Sequence, residues 1–149
     1  MAKSFAAQVG VWAKKVDGAL RVVFQEAAQR IALELDGELG DQVYASAETG
    51  YKRTGFLRSS LVASKEAMPR LTRGNPGVAV PADLGDVMLV ITGADIGDTI
   101  YLGYTANYAA HVHYGSNGRA PRPWVMLVAQ RWEQIVAETA RDVRKRLGL

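Results

Sequence analysis

The chain has 149 residues, of which 48% are hydrophobic and 22% charged, a composition typical of a globular protein with a sizeable core. It contains no cysteine, which excludes disulfides, thiolate metal sites and cysteine nucleophiles. No run approaches the roughly 18 apolar residues of a membrane span. Met1 to Ser4 lead directly into an amphipathic pattern, so we expect neither a membrane anchor nor a signal peptide.

The net charge is only +3, but the charged residues are unevenly distributed along the chain. Residues 49–82 hold six basic side chains and one acid, and residues 83–98 hold four aspartates and no base. Residues 99–132 hold three arginines and no acid. Segments of opposite sign can complement each other between copies of one protein and set their register. The alternative is a solvated surface whose charges are placed by chance.

The first forty residues predict one long helix, over residues 4–40. Ser4 is suited to cap its start. Apolar residues then recur at spacings of three and four, which places them on one stripe: Phe5, Val9, Trp12, Val16, Leu20, Val23, Ala27, Ile31 and Leu35. A stripe of this length needs a cover, which we expect to be a sheet or a neighbouring subunit.

The segment from Thr54 to Leu61 predicts a capped single helical turn with Phe56, Leu57, Ser60 and Leu61 pointing inward. A strand is expected to follow it, over residues 61–67. Residues 68–86 contain three prolines and three glycines, a composition typical of a loop. At about nineteen residues this loop is longer than the usual connection between two elements, and long loops are commonly functional or disordered.

Two strands are predicted next, over residues 87–92 and 99–104, because β-branched and aromatic runs flank a Gly/Asp-rich connection. The prediction is therefore an antiparallel hairpin, within a sheet that covers about residues 61–104. A short helix is expected over residues 107–114, ended by Gly115, and a last helix over 123–147, started by Pro123. The whole predicts one α+β domain over residues 1–149, with both long helices packed on the small sheet.

Catalytic constellations are weak in this chain. His111 and His113 form the single histidine pair, and on a helix their side chains would diverge, so we interpret them as surface or interface residues. The serines near Thr54 lack the nucleophile elbow of a hydrolase, and the aspartates of residues 83–98 are interpreted as turn formers. No phosphate-binding loop is present. We therefore expect no enzyme activity, no metal and no cofactor.

Three short motifs, taken in order, carry a resemblance. Thr54-Gly55-x-Leu57-Arg58-x-Ser60 follows the long helix, Tyr108-Ala109-x-x-Val112-x-Tyr114-Gly115 comes later, and Pro121-x-Pro123-Trp124 opens the last helix. In this order they resemble the head–tail joining, neck or tail-completion proteins of long-tailed bacteriophages, over roughly residues 4–147. That family usually has an acidic residue just before its Tyr-Gly pair, where this chain has His113.

The resemblance implies a non-enzymatic virion protein that assembles as a ring, with six copies as the expected number, between the capsid portal and the tail. Its implied partners are copies of itself and the neighbouring connector, tail-tube or terminator proteins. The implied location is the virion neck, reached from the host cytoplasm during assembly.

Charges and aromatic residues give the candidate contacts. The subunit-interface candidates are Asp86, Asp95, Asp98, Arg58, Arg119, Arg122, Tyr108 and Tyr114. The candidates for a docking loop or for non-specific contact with DNA in the channel are Arg70, Arg73, Lys52 and Arg53. The alternative function is a small basic DNA-binding accessory protein that uses the same basic loops.

Overall fold

The computed structural model of the protein describes residues 4–44 and 54–149. Its elements in chain order are α1 (Phe5–Leu39), a π-helical turn (Gly40–Tyr44), α2 (Phe56–Ser59), β1 (Leu61–Ser64), α3 (Gly85–Thr92), β2 (Tyr101–Tyr104), α4 (Ala109–Tyr114), α5 (Trp124–Ala129) and α6 (Trp132–Leu147). Long helices beside a small antiparallel sheet confirm the α+β prediction. Every helix and strand contributes to one cluster of buried apolar residues.

The first helix begins where its sequence predicts. The Ser4 hydroxyl accepts a hydrogen bond from the Ala7 backbone N–H at 3.2 Å, which satisfies one of the unpaired donors at the helix start. At the other end, the backbone N–H of Gly40 bonds back into the last turn of the helix. The predicted bounds of residues 4–40 are thus close to the observed ones.

The helices α1 and α6 pack side by side in opposite directions. A row of ion pairs joins them: Glu26 with Arg146, Arg30 with Asp142 (2.8 Å), and Arg131 with both Glu34 (2.6 Å) and Glu38 (2.9 Å). Residue numbers rise along α1 as they fall along α6, which fixes the antiparallel alignment. These pairs are largely exposed, so they set the alignment of the two helices more than they stabilise the fold.

The predicted strand over residues 87–92 is wrong, because this segment is the helix α3. Val87 and Ile91 are buried, whereas Leu89 between them is 72% exposed. A strand would place all three on one face, but in a helix Leu89 points away from the other two. Asp86 lies in the first turn of α3, where a negative charge complements the helix dipole.

The predicted hairpin is therefore wrong as well, and β2 has a different partner. It pairs antiparallel with β1, in a register that sets Leu61 opposite Tyr104 and Ser64 opposite Tyr101. Both β1 and β2 lie within segments predicted as strands. The pairing joins residues about forty positions apart, across the loop of residues 68–86 and the helix α3.

The predicted last helix, over residues 123–147, is divided in two. α5 ends at Ala129 and α6 begins at Trp132, with Arg131 at the break. The Arg131 guanidinium reaches Glu34 and Glu38 on α1 from this position. The break also separates the two tryptophans of the predicted helix: Trp124 is buried, and Trp132 is 53% exposed.

Candidate functional site

The Thr54–Leu61 motif has a structural role, since its start is held against the loop of residues 68–86. Gly55 has φ +80°, and a Cβ at this position would lie 2.6 Å from the Val80 carbonyl oxygen. The Val80 N–H donates to the Thr54 carbonyl at 2.7 Å, so the two backbones are held together at this point. Phe56 and Leu57 are buried as predicted, and so are Ser60 and Leu61. The glycine is required by the close approach of the loop.

Arg58, a candidate interface residue, is already paired inside the chain. Its guanidinium binds the Asp36 carboxylate through two hydrogen bonds of 2.6 Å, and its backbone N–H donates to the Tyr44 hydroxyl. The Asp36 carboxylate raises the pKa of Arg58 by accepting these bonds. A contact between subunits through Arg58 would have to share or displace Asp36.

Two of the three candidate acidic residues also have partners within the chain. Asp95 pairs with Arg21 at 3.0 Å, and Asp98 lies 3.7 Å from the Lys65 ammonium. Asp86 instead lies in the first turn of α3, beside the exposed Leu89. The acidic residues therefore lie on a helix and the turn after it, and not on the predicted hairpin.

The histidine pair is divided between surface and interior. His111 is exposed, but His113 is buried beside Trp124, with their ring centres 5.4 Å apart. Its Nε2 accepts a hydrogen bond from the Met126 N–H at 3.3 Å, in the first turn of α5. The interpretation of both histidines as surface or interface residues is thus wrong for His113, which belongs to the core and holds the start of α5.

This position predicts a pH dependence of stability. Burial lowers the pKa of His113 below its usual value of 6.5, so the unfolded chain takes up a proton more readily than the fold does. The stability that neutral His113 contributes should be complete above about pH 6.5. It should be lost as the pH falls through the lower pKa of His113 in the folded state. Urea denaturation between pH 7.5 and 5 measures this decline. The decline should be smaller in His113→Gln and unchanged in His111→Gln. An equal decline in both variants would contradict the role of His113 in this pH dependence.

Among the candidate basic residues, Arg70 and Arg73 lie on the loop of residues 68–86, and Arg119 and Arg122 lie on the loop between α4 and α5. Arg73 places its guanidinium 5.2 Å from the centre of the Phe56 ring, and its backbone forms a bridge with Ala106. This bridge fixes the loop of residues 68–86 against the segment after β2. Asn75 of the same loop joins that segment again, because its amide donates a hydrogen bond of 3.4 Å to the Tyr108 hydroxyl.

The two loops enclose a shallow pocket of about 400 Å³ whose lining includes Asn75, Tyr108, His111 and Arg119. The structure thus brings Tyr108 and Arg119 together, with Arg73 on the adjoining backbone. Lys52 and Arg53 lie outside the described residues. The segments 67–82 and 99–123, which form this surface, contain no acidic residue.

The N-terminal part of α1 forms an exposed apolar arm, here defined as residues 5–17. Phe5 is 82% exposed and Trp12 61%, and Val9 lies between them on the same stripe. The first buried residue of α1 is Ala19, and a groove lined by Trp12, Val16, Ala19 and Val143 lies there, at the end of α6. Within the stripe, Leu20 is still 55% exposed and Ala27 is the first buried member. The length of the stripe predicted the need for a cover, and the fold covers its second half alone.

An apolar groove lies around Tyr114, a predicted interface residue. It has a volume of about 360 Å³, and its lining includes Met68, Leu71, Tyr114, Trp124 and Val125. Met68, Leu71, Tyr114 and Val125 all belong to the exposed large hydrophobic residues of the chain. Met68 and Leu71 were not predicted as interface residues, because they lie in a segment of loop composition.

Within residues 4–44 and 54–149, no cluster of three or more histidine, aspartate or glutamate side chains is arranged to hold a metal ion. None of the helices in this described part combines the length and the apolar content needed to cross a bilayer. Comparison with known proteins finds no matching family model, no matching curated protein and no matching solved structure.

Proposed function

We propose that this protein is a non-enzymatic structural subunit of the head–tail junction of a long-tailed bacteriophage, and that it assembles as a ring of six copies. Its partners are further copies of itself and the connector, tail-tube or terminator proteins on either side. The proposal places it in the neck of the virion, after assembly in the host cytoplasm. The resemblance carried by the Thr54, Tyr108 and Pro121 motifs is the starting point for this proposal.

The single observation that carries the proposal is the apolar arm of α1. Monomeric proteins rarely leave a contiguous apolar stripe uncovered, and aromatic residues are enriched where proteins bury surface against each other. Phe5 and Val9 are exposed on the arm, and Trp12 lines the groove at the end of α6 but is still 61% exposed. A protein that works as part of an assembly has a physical reason to keep such an arm.

The test is the mass and shape of the purified protein, alone and after mixing with virion extract, by light scattering and negative-stain imaging. Wild-type protein should form rings in the presence of virion extract. Trp12→Ala should weaken assembly and leave the circular dichroism spectrum unchanged, because the Trp12 side chain contributes little to the core of the subunit. Trp132→Ala is the matched control, since it removes a tryptophan of similar exposure, 53% against 61%, from the body of the subunit.

A second candidate function, a small basic DNA-binding accessory protein, is favoured by one observation. Arg73 holds its loop against the segment after β2, and Arg119 lines the pocket beside that segment, so these acid-free loops present basic side chains that can neutralise phosphates. A protein that stays monomeric in both conditions, and that shifts duplex DNA in a salt-dependent manner, would replace the ring proposal with this one. In a ring, the same loops are the candidates for contact with DNA in the channel.

A further inference from the structure

Two surface patches of this subunit differ in form and in charge: one has a projecting apolar side chain among acidic residues, and the other is an apolar groove among basic ones. The first, here called the Leu89 knob, consists of Leu89, Asp86 and Asp83 at α3. Asp86 and Leu89 are three residues apart on the helix and therefore share a face. Leu89 projects outward because Val87 and Ile91 occupy the buried side of α3. Residues 74–98 contain four aspartates and no basic residue, so the knob lies in an acidic region.

The second patch is the apolar groove around Tyr114. Its lining includes exposed side chains from Met68, Leu71 and Val125. Arg70 lies between two lining residues, and Arg122 lies two positions before the lining Trp124. The segments 68–71, 102–104 and 109–125, from which nearly all of the lining comes, contain no acidic residue. The groove is thus mainly apolar, and the three segments that supply nearly all of its lining carry Arg70, Arg119 and Arg122 and no acid.

We infer that the Leu89 knob of one copy docks into the Tyr114 groove of a second copy. Leu89 fills the apolar centre, and Asp83 and Asp86 approach Arg70 and Arg122 at the rim. The inference rests on the proposed function, because it supplies the contact between neighbouring copies of the ring. Knob and groove are different patches, so the contact is head-to-tail, the type that closes into a ring when the rotation permits.

Charge favours this occupant over the exposed apolar arm of α1. The arm of α1 carries Lys14 and Lys15 against the single acid Asp17, so it would bring positive charge to Arg70 and Arg122. The other aspartates of the acidic region, Asp95 and Asp98, are paired with Arg21 and Lys65. The like charges disfavour the arm in this groove, and the opposite charges favour the knob.

The contact is small compared with a stable dimer interface, which buries about 800 Å² on each partner. We therefore expect it to be weak between two isolated copies. Each copy in a ring presents both patches, and the last contact of the ring forms within one assembly, where the effective concentration is high. This makes the contact suited to copies that join only when a template or a neighbouring ring gathers them.

The absence of native cysteine permits a direct test by cross-linking. Leu89→Cys protein is mixed with Val125→Cys protein, and oxidised glutathione is added to form disulfides between copies. The matched control replaces Leu89→Cys with Leu33→Cys, because Leu33 is also exposed and also lies beside an acid, Glu34. We expect the Leu89–Val125 product to form several-fold faster than the control product, with an advantage that decreases as salt is added.

Equal rates for the two pairs would overturn the inference, and so would a dominant Leu89–Leu89 product, which indicates a symmetric contact. A charge reversal gives a second reading. Asp86→Arg in the Leu89→Cys protein should slow the cross-link, and Arg122→Asp in the Val125→Cys protein should restore it. Failure of the second change to restore the rate would remove Arg122 from the contact.

The outcomes separate this inference from the proposed function. If the wild-type protein forms rings but the Leu89–Val125 cross-link is no faster than the control, the docking inference fails and the ring proposal stands. If the cross-link is fast but imaging shows open chains or dimers, the contact stands and the closed ring fails.

Discussion

Replacing Trp124 with alanine should lower the free energy of unfolding by roughly 3–5 kcal/mol, the usual cost of removing a large aromatic side chain from a core. Trp124 is 1% exposed, and its ring packs edge-on against Tyr104, with centres 5.2 Å apart, and against His113. The loss is a large part of the 5–15 kcal/mol that a domain usually has. Urea denaturation, followed by circular dichroism in the far ultraviolet, measures the loss of stability.

Trp132→Ala is the control for this prediction, because it makes the same chemical change at a half-exposed position. Its effect should be markedly smaller than that of Trp124→Ala, since a partly solvated ring leaves a smaller cavity. Equal losses from the two variants would contradict the placement of Trp124 at the centre of the core and of Trp132 at its edge.

Gly55→Ala should destabilise the protein by roughly 2–4 kcal/mol, through backbone strain and a collision together. The left-handed conformation of Gly55 costs any other residue energy, and the added Cβ would lie 2.6 Å from the Val80 carbonyl oxygen. Val80 cannot withdraw easily, because its N–H is bonded to Thr54. Thermal and urea denaturation of the purified variant give the change in stability.

Gly18→Ala provides the opposite expectation within the same chain. Gly18 lies inside α1, and nothing lies within 4 Å of the position that its Cβ would take. Alanine there should raise the free energy of unfolding by roughly 0.5–1 kcal/mol, because glycine is the poorer helix former. If both variants shifted stability in the same direction, the distinction between a required and a dispensable glycine would be wrong.

The parts of the fold that follow from local sequence were predictable. Ser4 and the three-and-four spacing after it predicted α1, and the glycine after Tyr114 predicted the end of α4. The run from Val87 to Thr92 was predicted as a strand, but a short apolar segment shows neither the strand period nor the helix period clearly. Its helical state is revealed by the burial of Val87 and Ile91 with Leu89 exposed, which is a property of tertiary packing and not of composition.

The candidate surface was predictable in part. Tyr114 was selected from the sequence, and it lines the apolar groove. The internal partners of Arg58, Asp95 and Asp98 were not predictable, because each pair joins residues that are distant in the chain. His113 was misplaced for the same reason, since its burial depends on Trp124 of the next helix. Leu89 was not identified because a strand would place it on the same face as Val87 and Ile91, and so would not expose it alone.

The arm of α1 has a consequence for the thermodynamics of assembly. A helix is costly to start but inexpensive to extend, and the turns from Phe5 to Asp17 extend a helix that the body of the subunit already holds. A partner that covers Phe5 and Trp12 therefore meets a side-chain stripe already set in place, and little backbone entropy is lost when the two surfaces join. The 35 residues of α1, at about 1.5 Å each, make this a stiff rod of roughly 50 Å. The exposed end of α1 therefore has a fixed orientation relative to the subunit body, and so does a partner that binds to it.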